Sequence, residues 1–199
     1  MNIGFLASHG GSNMQAIIDA CKEGRLSAAA AVVISNNGDS RALERARTEG
    51  IPNYHLSGNT HPDPDDLDRA IMDTLVRHNV DVIALAGYMK KLGPKTLACF
   101  RGRILNIHPA LLPKFGGKGM YGIHVHEAVI AAGEKESGVT VHLVDEEYDR
   151  GPILAQVRVP VMPGDTPEIL AERVLAQEHL LYPATLQRIA TGEIVLPAR

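Results

Sequence analysis

The chain has 199 residues, long enough for one large α/β domain, and 45% of them are hydrophobic against 22% charged. A formal charge of -3 excludes a strongly basic nucleic-acid surface, and the apolar content excludes a disordered chain. The N-terminal run Met1-Asn2-Ile3-Gly4 has no basic segment before it and meets a glycine turn too early for a signal peptide or a membrane span, so a cytoplasmic protein with small-molecule partners is expected. Residues 2–8 read as a buried strand broken by His9-Gly10-Gly11, after which Ser12 and Gln15 form a capping box. Met14, Ile17, Ile18 and Cys21 then fall on one helical face, and Gly24 stops the helix. A strand over 30–35, a helix over 40–47 closed by Gly50 and a short strand over 54–56 follow. Asp63-Pro64 opens a helix with Leu67, Ile71 and Leu75 on one side, leading to an apolar strand over 80–86.

Strand and helix alternate through this half, which predicts a mostly parallel, Rossmann-like α/β sheet with helices on both faces and ligands beyond the carboxyl ends of its strands. Farther on, 103–108 reads as a strand and 125–132 as a helix, and strands over 139–144 and 153–161 can pair antiparallel. Thr166-Pro167 begins a long helix in which Pro183 predicts a kink or break. Cys21 and Cys99 have no metal or redox spacing and read as reduced structural thiols. The spacing of His124, His126 and Glu127 lacks a suitable third ligand, so no metal is expected there.

Three clusters point to chemistry. Gly10-Gly11-Ser12-Asn13 leads from a strand into a helix, where unpaired N–H groups and the helix dipole favour an anion such as phosphate, although a plain tight turn looks the same. No lysine and hydroxyl pair follows the glycines, which argues against a nucleoside triphosphate or a dinucleotide. In Asn106-Ile107-His108-Pro109, period-two geometry turns the amide and the imidazole to one side. Such a pair suits oxyanion stabilisation with proton transfer. The third cluster is the acidic turn from Asp145 to Pro152; a carboxylate of this turn near His108 would favour the charged imidazolium.

The order Gly-Gly-Ser-Asn, Gly87-Tyr88-Met89, Asn106-Ile107-His108-Pro109-Ala110-Leu111-Leu112-Pro113 and Asp149-Arg150-Gly151-Pro152 resembles the folate-dependent formyltransferases of the glycinamide ribonucleotide type across essentially the whole chain. The resemblance implies a single domain over 1–199, with a phosphate-binding half over 1–100 and a catalytic, folate-binding half over 101–199. It implies transfer of the formyl group of 10-formyltetrahydrofolate, a co-substrate rather than a tightly bound cofactor, to the amine of glycinamide ribonucleotide in purine biosynthesis, by a monomer or homodimer. Asn106, His108 and Asp149 would be catalytic, with His108 protonated. Gly11, Ser12, Asn13 and Glu178 would hold the ribonucleotide. Met89, Lys90, Lys91, Leu92, Asn106, Asp145 and Asp149, with the backbone from 145 to 149, would hold the folate. The chain differs from the family pattern in its acidic segment Asp63-Pro64-Asp65-Asp66 and in the long glycine-rich loop from Phe115 to Gly122. A hydrolase releasing formate from the same folate, and a non-catalytic nucleotide-binding module, are the alternative readings.

Overall fold

The computed structural model describes residues 1–147 and 149–197. Strands β1 (Asn2–Leu6), β2 (Ala29–Ser35), β3 (Asn53–His55), β4 (Val82–Leu85) and β5 (Ile104–His108) are parallel, while β6 (Glu136–Leu143) pairs antiparallel with both β5 and β7 (Ile153–Pro160), in the order β3-β2-β1-β4-β5-β6-β7. The expected mostly parallel sheet with an antiparallel C-terminal part is therefore observed.

Alternation along the central strands divides the core in two. Val82 and Ala84 of β4 face one apolar cluster with Leu105 and Ile107 of β5, whereas Ile83, Leu85 and Ile104 face the other. Burial on both faces is why these strands read as continuous apolar runs. Residues of α1 (Ser12–Lys22), α2 (Arg41–Thr48), α5 (Ile123–Ala131) and α6 (Pro167–Ala190) fill the first cluster, and those of α3 (Pro64–Arg77) fill the second, beside α4 (Pro94–Cys99). Helix starts follow local chemistry: the Ser40 hydroxyl accepts from Leu43 N, and the Asp63 carboxylate accepts from the N–H groups of Asp65 and Asp66 at 2.8 and 3.1 Å.

Three local expectations differ from the structure. Gly11, at φ 66°, is the N-cap of α1, so Ser12 is already inside the helix and makes no side-chain cap. α4 has no counterpart in the sequence reading; it is six residues long and carries no apolar stripe, with Thr96 its buried residue. α6 continues through Pro183 without a break. It packs against α1, α5, β6 and β7, and the fully buried Tyr182 anchors it to the sheet by donating to the carbonyls of Leu85 and Leu105 at 3.2 and 3.0 Å. This packing outweighs the one helical hydrogen bond that a proline removes. Tyr182→Phe, which loses a buried donor shared by two carbonyls, is expected to cost about 1–3 kcal/mol in urea unfolding. An unchanged midpoint would show that the anchor is apolar packing alone. No helix among the described residues is long and apolar enough to cross a membrane.

Candidate active site

The carboxyl ends of β1, β4 and β5 open into a cavity of about 520 Å³ where the chain switches from building outward on one side of β1 to the other. Asn13, Met89, Lys90, Asn106, His108, Asp149 and Glu178 all line it. Residues separated by more than 160 positions thus share one solvent space. Gly11 and Ser12 do not line it; they form the turn that delivers Asn13. That turn is held from α2, whose Ala42 N–H donates to the His9 carbonyl at 3.0 Å and whose Arg45 Nε donates to the Gly10 carbonyl at 3.0 Å.

Asn13 and Glu178 meet directly, the Asn13 amide donating to Glu178 Oε2 at 2.5 Å. Burial raises the Glu178 carboxyl above its ordinary range, and the Asn13 hydrogen bond opposes that shift. The other amide atom, Asn13 Oδ1, is buried without a protein partner. An oxygen and a carboxylate held this way are matched to hydroxyl donors entering the cavity. Tyr182, one turn beyond Glu178 on α6, fixes the helix that presents it.

Asn106 and His108 project from the end of β5 on the same side, as expected. Pairing of β5 with β6 sets Asn106 opposite His142 and His108 opposite Thr140. The Thr140 hydroxyl donates to the Ala110 carbonyl at 2.7 Å and accepts from Leu112 N at 3.2 Å, which pins the chain leaving β5 and fixes His108. The imidazole is 3% exposed. Its Nε2–H donates to the Phe115 carbonyl at 2.7 Å, and its Nδ1 lies 3.7 Å from Asp149 Oδ2. Asp149 is a non-glycine residue at φ 55°, a conformation that aspartate tolerates better than most, and its Oδ2 also accepts the Gly117 N–H at 2.9 Å.

Opposed influences act on the charge of His108. Burial pushes its pKa below the ordinary imidazole value, and the Asp149 charge and the Phe115 carbonyl only partly offset that. Its Nε2–H is fixed by the Phe115 carbonyl, so Nδ1, which faces Asp149, is the nitrogen that gains or loses a proton. Burial alone would raise the Asp149 carboxyl, but His142, the Gly117 N–H and the neighbouring His108 together hold it below its ordinary range.

A second, smaller cavity of about 100 Å³ lies behind this cluster and is lined by Lys90, Lys91, Leu92, Asn106, Asp145 and Asp149 together with His142. Six of the seven residues expected to hold a folate thus border it, and Met89 lines the larger cavity. Tyr148 of the acidic turn lies outside the described residues. The close of that turn explains its glycine, since a Cβ at Gly151 would collide with the Leu143 carbonyl. His142 is a residue that the sequence reading missed. It is 2% exposed, lies 3.2 Å from Asn106 Nδ2 and 3.5 Å from Asp149 Oδ1, and an isolated histidine in an apolar strand carries no signal until strand register is known. His124 is exposed and paired with Glu127 Oε2 at 2.9 Å, whereas His126 is buried.

An amide, an imidazole and a carboxylate facing one cavity at the carboxyl edge of a Rossmann-like sheet are the arrangement of an α/β enzyme site suited to chemistry at a carbonyl group. Within that class, the chain belongs to the formyl transferase family, whose sequence profile matches residues 1–186. It is 40% identical over 194 residues to phosphoribosylglycinamide formyltransferase of Escherichia coli (strain K12), an alignment covering 98% of this chain and 89% of that protein. Glycinamide ribonucleotide transformylase 1 from Symbiobacterium toebii has the same fold, with a TM-score of 0.92 and 42% identity over 100% of this chain and 92% of that one. A formyltetrahydrofolate deformylase from Pseudomonas syringae pv. tomato has a TM-score of 0.87 at 24% identity, over 98% of this chain and 63% of that one, a likeness of fold alone.

Proposed function

We propose that this protein is a phosphoribosylglycinamide formyltransferase, moving the formyl group of 10-formyltetrahydrofolate to the amine of glycinamide ribonucleotide. The products are formylglycinamide ribonucleotide and tetrahydrofolate. The observation that carries this reading is the shared cavity, where Asn106, His108 and Asp149 face Asn13 and Glu178. In this reading the first hundred residues supply the phosphate turn, with Gly11, Ser12 and Asn13 on the phosphate, and Glu178 binds the ribose hydroxyls. Met89 to Leu92, Asn106, Asp145 and Asp149 hold the folate, and six of these seven residues line the smaller cavity.

The neutral amine attacks the formyl carbon, and the carbonyl oxygen gains charge beside an N–H of Asn106. The lone pair on His108 Nδ1 takes the proton that the attacking nitrogen sheds. The resulting imidazolium is paired with Asp149 and shares the oxyanion charge. Collapse of the tetrahedral carbon breaks the bond to the folate nitrogen, which recovers the proton from His108. No acyl-enzyme is formed, so no serine or cysteine nucleophile is required.

The hydrolase reading uses the same residues with water in place of the amine. Purified protein given 10-formyltetrahydrofolate is expected to lose the formyl group only when glycinamide ribonucleotide is present, with the formylated ribonucleotide as product. Formate release at an equal rate without the amine would establish the hydrolase instead.

A further inference from the structure

The proposed transfer needs Asn106 to present nitrogen to the developing oxyanion, yet an asparagine amide fits its pocket either way round. What selects the orientation is visible on the neighbouring strand. His142 lies opposite Asn106 in the β5–β6 register, at a point where the β6–β7 pairing shifts. Its Nδ1 is 2.9 Å from the Leu143 carbonyl, which can only accept, so Nδ1 carries a proton. In the neutral ring Nε2 is then an acceptor, and it faces Asn106 Nδ2 at 3.2 Å. The same Nε2 lies 3.5 Å from Asp149 Oδ1, so His142 stands between the amide and the carboxylate of the site. With the amide reversed, its oxygen would face this lone pair and the nascent oxyanion, each of them repulsive.

We propose that His142 is a positioning residue whose backbone-fixed tautomer locks the Asn106 carboxamide so that an N–H, not an oxygen, meets the charge formed during formyl transfer. The inference rests on the reading of Asn106 as the oxyanion donor. His142 touches neither reacting atom; it acts through Asn106. The tautomer follows from one strand carbonyl and the amide orientation follows from the tautomer, so the chain of control runs from the β6 backbone to the reacting carbonyl.

Two variants and one spectrum test it. His142→Leu removes the acceptor, and kcat is expected to fall by about 10- to 100-fold while both KM values stay within about threefold. His142→Gln can place an amide oxygen near the position of Nε2 and is expected to recover most of that loss. In an Asn106→Ala background, His142→Leu is expected to change kcat by less than about twofold, because the amide it orients is gone. Long-range ¹⁵N–¹H correlation on the wild-type protein is expected to show Nδ1 protonated and Nε2 bare at neutral pH, a readout that needs no variant to fold. A protonated Nε2, a glutamine variant as slow as the leucine one, or full multiplicative losses in the Asn106→Ala background would each overturn the role of His142. Wild-type turnover in Asn106→Ala alone would instead overturn the oxyanion reading, and this proposal with it.

Discussion

His108→Ala is expected to lower kcat by about two to four orders of magnitude while leaving the binding of both substrates close to wild type. The imidazole is held in one orientation. Its Nε2–H is committed to the Phe115 carbonyl, so the ring cannot rotate without breaking a 2.7 Å hydrogen bond, and only Nδ1 is aimed at Asp149. An oriented acid–base group is lost with it. Some stability goes with it, on the order of 1–3 kcal/mol, since the Phe115 carbonyl is left without its donor. Turnover is therefore measured well below the unfolding transition, and His108→Gln, which retains a donor in place of the ring, serves as the better-folded companion. Either variant turning over at the wild-type rate would remove His108 from the chemistry.

Asp149→Asn is expected to lower kcat by about two orders of magnitude or more and, in the same protein, to move the titration of His108 further down. The sign follows from the forces on the ring. Burial depresses its pKa, while the Asp149 charge and the Phe115 carbonyl act upward. Removing the charge leaves burial less opposed. The neutral ring contributes stability that is fully present above the ordinary imidazole value of about 6.5 and is lost as pH falls through the folded value. The variant should therefore continue losing stability to lower pH than the wild type on this account. Histidine NMR titration reads the midpoint directly, and an unchanged or higher midpoint in Asp149→Asn would contradict the pairing. Asparagine can still accept the Gly117 N–H, so the loop contact is retained and the comparison isolates the charge.

Much of the fold was legible because burial on two faces leaves a plain record in apolar strands such as β4, and because Ser40 and Asp63 begin their helices by ordinary capping. What the sequence reading lost depended on tertiary context. Pro183 looked like a helix breaker, yet the neighbouring Tyr182 and the packing of α6 keep the helix continuous. α4 was too short and too weakly patterned to be seen. At the site, Asn106 and His108 stood out as a polar pair at a strand end, and Asp149 through its motif. The downward pull of burial on His108 was hidden because desolvation is a property of the folded surroundings, and His142 was hidden because its importance lies in which strand it faces.

The bond between Asn13 and Glu178 joins the first helix of the chain to its last. During synthesis, a nascent chain extended only as far as β7 already carries the glycine turn, β5 and the acidic turn, but Glu178, the partner of Asn13, has yet to leave the ribosome. On the proposed reading, Glu178 contributes to ribonucleotide binding only once α6 has docked.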